Sequence, residues 1–409
     1  MPEQAPRPAS KSSMGEVDKA EHPAVKPDLL PPAASDDLVL VPASPGEWMQ
    51  SQALNALEWK GPLTMKQYLE REQYLFSRNL TKDGKATGWI LTSDKLPANQ
   101  DGCRPILASC ETILADGYIA RGGVLQTVAT HGVGSVFTRK EHRGKGYAGR
   151  MMTELGRKLE TWQQHNGDRG HFSCLYSDIG ISFYAKLGWK VFPSTHIHLQ
   201  PMQSQQYDAA AEPLPKVENL CAEDIKSLPA LQYVEEELVR QSQARPTTTF
   251  VSIRPDLDHF QWQHAREDFV ASALGKAEPK VKGAIHKSTG ISLVWNRVFA
   301  SNPKEWQLHI LHAIIPKEMR DSIEGLKAMS ALLLRAQLEA DKWSMQGGVE
   351  VWDPCELVIS AAQNLRMEAS DKVEVIHRDK EHVCSLRWIG PGKEDAEVVW
   401  LYNQKYAWC

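Results

Sequence analysis

The sequence predicts an α/β (α+β) fold built as two successive units. Three observations carry this reading. A strand, a glycine turn and an amphipathic helix follow one another between Gly132 and Glu160. The elements around them fall in the order β-α-α-β-β-β-α-β-α-β. After a stretch rich in Gln, Pro and Ala at 201–217, a similar order starts again. The expected organisation is a disordered tail over 1–35, a first domain over 36–200, a linker over 201–217 and a second domain over 218–409. The tail is rich in Pro, Ala, Ser and Lys and poor in large apolar residues, so it cannot bury enough surface to fold.

The first unit opens with a strand at Asp37–Val41. Gln50 to Leu80 reads as two helices broken at Gly61-Pro62. Thr87–Thr92 and Pro105–Ile113 read as strands separated by a polar loop. The Val133–Thr138 strand leads through Arg139–Arg143 into the glycines. In the helix that follows, Met151, Met152, Leu155 and Leu159 recur at helical spacing. His171–Tyr176 is the next strand. Ser177 or Asp178 is the expected cap of a short helix ending at Gly188, and Trp189–Leu199 closes the unit with a strand.

In the second unit, 223–243 and 258–274 read as helices. The runs 281–286 and 291–299 form a hairpin around Ser288-Thr289-Gly290. A strand over 307–315, a long amphipathic helix over 324–343, a strand over 349–352 and a short helix over 356–364 follow. Strands over 383–389 and 398–402 end the unit. The turn before its long helix, Pro316–Asp321, has no glycine, so its backbone cannot close on a pyrophosphate in the same way. Asp353 falls where Asp178 does in the first unit, after a strand and before a short helix.

Composition narrows the function. With 42% hydrophobic and 24% charged residues the chain is of soluble globular type, and a net charge of −4 gives no nucleic-acid surface. No apolar run is long enough for a bilayer span, and the first residues hold no apolar signal core. Seven scattered cysteines without a C-x-x-C pair argue against metal clusters and disulfide frameworks, so the expected compartment is a reducing cytoplasm.

Strand, glycine turn and helix N-terminus together offer backbone N–H groups to an anion. Arg143-Gly144-Lys145-Gly146-Tyr147-Ala148 contains R-x-x-G-x-A, and Phe183-Tyr184-Ala185-Lys186-Leu187-Gly188-Trp189 reads F-Y-x-K-L-G-W. In this order and at this distance the two motifs resemble those of the GNAT superfamily of N-acetyltransferases. The resemblance implies a mixed, mostly antiparallel sheet and acetyl-CoA as co-substrate; the repeated order of elements, with no glycine in its turn, makes the second unit a degenerate GNAT-like domain expected to contribute to the acceptor site. Residues 144–149 also spell G-x-G-x-x-G, with Asp178 as a would-be ribose ligand. In a dinucleotide fold, however, the first glycine directly follows the strand, whereas Arg139–Arg143 intervene here.

The chain further resembles the fungal lysine acetyltransferases that modify the ε-amino group of free L-lysine. That likeness rests on Ser135–Thr138, Arg143–Ala148, Leu175–Gly180, Arg245–Phe250, His264–Glu267 and Tyr406–Cys409. Lys140 and His142 depart from the proline and tyrosine that the family carries in this turn.

Acetyl transfer to an amine must hold the donor, polarise its carbonyl, deprotonate an ammonium of pKa ~10.4 and protonate the leaving thiolate. Holding falls to the backbone of Arg143, Gly144, Lys145, Gly146, Tyr147 and Ala148. The strand edge at Val136, Phe137 and Thr138 is available to pantetheine amides, and an N–H near Phe137 would polarise the carbonyl. By resemblance Tyr184 is the acid, while Asp178 positions the helix beside the cofactor or simply caps it. Glu111 lies in an apolar strand on the face of Leu107 and Ser109, which makes it a candidate base or a satisfied edge residue. His131 is another candidate base. A third is the terminal carboxylate of Cys409, brought to the first cleft as in some tandem GNAT-like enzymes. Arg245, Arg266 and Arg297 are candidates for an amino-acid carboxylate.

The expected function is therefore transfer of acetyl to a small-molecule amine, with free L-lysine leading, no metal, and no nucleic-acid or membrane partner. The alternatives are another amine such as a polyamine, toxin or secondary metabolite, a protein lysine, or a non-catalytic CoA-binding protein.

Overall fold

The structure is a computed structural model that describes residues 30–164, 171–365, 373–390 and 397–408. The first half runs β1 (Leu38–Pro42), α1 (Pro45–Trp59), α2 (Met65–Phe76), β2 (Ala86–Ser93), β3 (Ala108–Arg121), β4 (Val124–Phe137), α3 (Tyr147–Lys158), β5 (His171–Ser177), α4 (Ser182–Ala185) and β6 (Lys190–Val191). The chain continues with β7 (Thr195–Leu199), α5 (Ser204–Ala211), β8 (Glu218–Leu220), α6 (Ala222–Ile225), α7 (Ala230–Ala244), β9 (Thr249–Ile253) and α8 (Leu257–Ala273). It ends with β10 (Gly283–His286), β11 (Ile291–Val298), β12 (Gln307–Ile314), α9 (Ile323–Lys342), β13 (Val349–Trp352), α10 (Glu356–Asn364), β14 (Ile376–His377), β15 (Val383–Ile389) and β16 (Val398–Trp400).

Local sequence explains the helix starts. Ser44 caps α1, with Pro45 in the first turn and Glu47 returning a carboxylate to the Ser44 N–H at 2.8 Å. Thr64 and Gln67 make the same reciprocal cap on α2. Glu47 also receives the Arg104 guanidinium on both oxygens, each at 2.7 Å. Despite its burial, these donors hold its carboxyl down at about 2.

Among the described residues one sheet has nine strands and the other seven. The first is ordered β1-β2-β3-β4-β5-β15-β6, with β9 on β3 and β16 on β9; the second is β8-β10-β11-β12-β13-β7-β14. The parallel pairs near the middle of the sheets are β4 with β5 and β12 with β13; the first sheet also pairs β9 with β16 in parallel. The helix faces follow the sequence pattern. Met151, Met152, Leu155 and Leu159 are fully buried against Trp89, Leu175 and Trp189 in the first core. Ala328, Met329, Leu332, Leu333 and Ala336 of α9 do the same in the second.

The sheets exchange strands, which corrects the expected boundary at residue 200. The run 189–199 is not one strand closing the first unit. Pro193 has no N–H for the ladder, and the chain leaves the first sheet after Val191. β7 then pairs with β13, and its Ile197 and Leu199 enter the second core. In return β15, expected in the second unit, lies between β5 and β6, paired from Val383↔Ser177 to Ile389↔His171.

Other expectations change locally. The expected linker carries α5, and the expected helix over 223–243 divides into α6 and α7 at Pro229. β3 and β4 are fourteen-residue arms of one hairpin turning at Gly122-Gly123, much longer than the runs read from the sequence. Residues 30–35, expected in the tail, pack on the first domain; residues 1–29 lie outside the described residues. Leu30 and Ala33 touch the first core, the Tyr147 hydroxyl donates to the Pro31 carbonyl at 2.7 Å, and Arg150 donates to Ala33 and Ser35.

The exchange explains the glycine of the F-Y-x-K-L-G-W motif. Gly188 has φ +96°, and a Cβ there would stand 2.2 Å from Nη1 of Arg387, which donates to the Leu187 carbonyl at 3.1 Å. Gly188→Ala is expected to cost about 2 kcal/mol of stability. Urea denaturation would read this as a lowered midpoint, and an unshifted midpoint would contradict the close docking of β15.

Candidate active site

The site is made where two parallel strands part. β4 and β5 pair only from Thr130↔Phe172 to Val133↔Leu175. Past that point β4 bulges: its register with β3 shifts between Ser109 and Glu111, and Ser135 takes φ +52°. A serine in the left-handed region is strained backbone that the flanking pairs must hold. The gap becomes a cleft walled by β4, the end of β5, α2, α4 and α8. Gly134, Ser135 and Val136 line one side; Tyr176, Asp178 and Tyr184 line the other.

The glycine turn lies at the end of β4. A short 3-10 turn over Lys140–His142 leads to Gly144 at φ +79° and Gly146 at φ +87°. An added Cβ at Gly144 would meet open space, so the backbone angle itself selects glycine there. Gly146 stands as N-cap of α3 with no side-chain cap, which leaves the first-turn N–H groups of Tyr147 and Ala148 without an intrahelical partner. The side chains of the turn divide. Lys145 is exposed. Arg143 donates to the Thr138 carbonyl at 3.1 Å and to Glu58 at 3.0 Å, bridging turn and α1. Tyr147 is buried, so only its backbone faces the turn. Phe137 is also buried, and the Thr138 hydroxyl is buried without a hydrogen-bond partner among the described residues.

Within the cleft, Glu111 accepts from the Trp48 indole N–H at 2.7 Å. Burial, with Glu72 nearby, pushes its carboxyl up to about 7 against the donors Ser135, Trp48 and Gln52. Tyr184 faces the same space, and burial pushes its phenol upward, helped by Cys110 and Asp178, so it stays protonated. A carboxylate able to take a proton near neutrality and a phenol able to give one thus line one cleft.

Three sequence expectations need correction. Asp178 does not cap α4, whose N-cap is Ile181. It accepts the His382 backbone N–H at 3.0 Å and lies 3.1 Å from the His382 ring. Although burial acts to raise its pKa, the contacts with His382 hold it below the usual carboxylate range. It therefore ties the first half to the second at the rim of the cleft. His131 is fully buried beside Gln163 and away from the cleft, and burial lowers its pKa to about 4. Of the arginines, Arg297 is a core residue between Glu267 and Glu339, and Arg245 stacks 4.6 Å over Phe250. Only Arg266 lines the cleft, where burial and then Arg71 lower its pKa to about 10. Cys409 lies outside the described residues; its neighbour Trp408 lines the cleft.

Sequence reasoning missed Arg71, Glu72 and Tyr68, which α2 brings to the same wall. Tyr68, Arg71 and Leu75 share the buried face of α2 at helical spacing. An arginine on an apolar stripe was the available signal. Arg71 and Glu72 pair at 2.6 Å.

A split parallel pair, a glycine turn on a helix N-terminus, and a carboxyl and a phenol across one cleft are the features of an N-acetyltransferase of the GNAT type. The family described as "LYC1 GNAT-like C-terminal domain" matches residues 196–409, and "Acetyltransferase (GNAT) domain" matches 118–192. The chain belongs to the family of the first of these, which spans more than half of it. It is 26% identical over 408 residues to an uncharacterized protein of Saccharomyces cerevisiae, covering 91% of this chain and 98% of that one. It is 26% identical over 320 residues to a protein of Yarrowia lipolytica named "Lysine acetyltransferase", covering 70% and 77%. Among solved structures it is similar to a GCN5-related N-acetyltransferase from Kribbella flavida, with 16% identity, TM-score 0.46 and coverage of 87% and 71%.

GNAT domains use acetyl-CoA, and the residues here fit it. The free first-turn N–H groups after two left-handed glycines suit a pyrophosphate, and Lys145 adds an exposed cation. The unpaired stretch of β4 at Ser135–Val136 suits the amides of a pantetheine arm.

The Glu111 carboxyl gives a prediction in pH. Below about 7 it carries its own proton and cannot accept another, so a role as base predicts that kcat/KM rises with pH through this value. Glu111→Gln is expected to remove that limb and to lower kcat/KM roughly 10²- to 10⁴-fold. Its folded pKa lies above the ordinary 4.5, so stability conferred by the neutral carboxyl is lost as pH rises through about 7. The variant should therefore resist urea better than the parent at pH 8, with the difference vanishing near pH 4.

Proposed function

We propose that this enzyme transfers acetyl from acetyl-CoA to the ε-amino group of free L-lysine. The observation that carries the reading is the pairing of charges in one aromatic-walled cleft. Glu111 and Glu72 offer carboxylates to an ammonium, while Arg266 and Arg71 offer guanidinium groups to a carboxylate. Tyr68, Trp262 and Trp408 supply apolar surface for a methylene stem. An amino acid with a cationic tail has all three features. The name of the Yarrowia relative points the same way.

The bound donor supplies its acetyl group as a thioester. Main-chain N–H groups of Gly146, Tyr147 and Ala148 hold its phosphates, and the open edge of β4 at Val136 holds the arm. Glu111 takes the proton that the acceptor ammonium must lose before it attacks. The Tyr184 hydroxyl gives a proton to the departing sulfur. Arg266, with Arg71 beside it, holds the acceptor carboxylate at the other end.

CoA release with free L-lysine, beside ornithine, polyamines and a lysine-containing peptide, tests the reading, with mass spectrometry of the product. Turnover is expected with lysine and a product carrying acetyl on the ε-nitrogen. Tyr184→Phe is expected to lower kcat roughly 10²-fold with little change in the lysine KM. Turnover confined to polyamines or to the peptide would overturn the choice of lysine.

A further inference from the structure

The second unit keeps the split strand pair of the first but fills it with its own chain. β12 and β13 pair in parallel only from Leu308↔Val349 to Ile310↔Val351 and then part. Into the opening runs the segment 401–408. The Gln404 side-chain oxygen accepts from the Ala313 backbone N–H at 3.2 Å and lies 2.6 Å from the His312 ring. Ala313 stands near the open end of β12, as Val136 does on β4. Gln404 thus satisfies a strand edge of the kind that remains open in the first unit. Asp353, after β13 at φ +47°, accepts the Asn403 backbone N–H at 2.9 Å, just as Asp178 after β5 accepts that of His382. Tyr406, fully buried, anchors the next turn by donating to the Ile253 carbonyl at 2.6 Å.

What this clamp presents is Trp408. Its carbonyl accepts from the Gln263 amide. Its indole carries the Lys405 ammonium at 3.9 Å and the Arg266 guanidinium at 4.9 Å, with the His382 ring edge-on at 6.1 Å. Lys405 is itself buried against a second indole, Trp352, at 4.1 Å. A ring fixed on several sides, in contact with the same Arg266 that lines the first unit's cleft, is a rigid wall and not a loose lid.

We propose that the split strands of the second unit serve to position segment 401–408, so that Trp408 determines which amines enter the acceptor cleft. Trp408 is then a specificity-determining residue, and Gln404 a positioning residue that acts through it. The identity of the acceptor rests on the reading under Proposed function; the role of the clamp does not.

The experiment starts with the amine panel on the parent enzyme, which fixes the acceptor. If lysine fails and another amine turns over, the proposed acceptor falls and the clamp is tested with that amine. Trp408→Ala is expected to raise the acceptor KM at least tenfold, with the acetyl-CoA dissociation constant changed less than twofold. Gln404→Leu is expected to raise the acceptor KM about threefold with the same indifference to acetyl-CoA. In hydrogen exchange the amides of 401–408 should exchange at least tenfold faster in Gln404→Leu, while those of β4 and β5 keep their rates. Exchange does not require turnover, and Trp408→Phe replaces Trp408→Ala if the latter fails to fold. An unchanged acceptor KM in the Trp408 variant would overturn the proposal. So would equal losses of acetyl-CoA and acceptor binding, or undisturbed protection of 401–408 in Gln404→Leu.

Discussion

Everything in this molecule depends on the insertion of β15 between β5 and β6. A parallel pair such as β4 and β5 can part at one end only if its outer strand is held from the other side. β15 supplies that hold along the whole of β5, from Ser177 to His171. Arg387 on β15 reaches the Leu187 carbonyl and Glu160, fixing α4 and the end of the α3 region against the sheet. Tyr184 stands one turn before this anchor. The Tyr184 side of the cleft is therefore held by residues more than two hundred positions away in sequence. β7 repeats the arrangement in the second sheet, where it braces β13.

Electrostatics in the cleft follow from the same parting. The bulge at Ser135 widens β4 away from β5 and leaves Glu111, on the neighbouring strand, facing a partly dry space with Glu72 close by. Burial and like charge act in the same direction, which brings a carboxyl into the range where it exchanges protons near neutrality. The arginines contribute a different chemistry. They keep their charge under burial, so the cleft holds permanent cations beside a carboxyl that titrates.

Much of the fold was legible in the sequence because strong periodicity needs no knowledge of partners. The stripe of α3, the long apolar face of α9 and the short runs of β13, α10 and β15 all lie where their patterns put them. What periodicity does not carry is the identity of a strand's neighbours. Alternation in 195–199 and 383–389 says that each has a buried face, not which sheet buries it, and so the exchange was invisible. The long arms of the β3–β4 hairpin were missed because Leu114–His131 mixes glycines, small and polar residues that pack against β9 and α7. The cleft was legible where a motif marks it, at 143–148 and 183–189, and at Glu111, where a charge interrupts an apolar strand. Arg71 and Glu72 were hidden in a charged helix, and His131 misled because a buried histidine and a reactive one look alike in sequence.

The exchange also has a consequence for how the chain reaches its folded state. During synthesis the first sheet lacks its sixth strand until residue 389 has been made, although its first five strands are complete by residue 177. For the whole of that interval β5 presents an unpaired edge to the surroundings. Contacts this distant in sequence slow folding and expose the nascent chain to mispairing. The two halves are thus interlocked by the exchanged strands, and a gene cut between them would yield two sheets that each miss an inner strand.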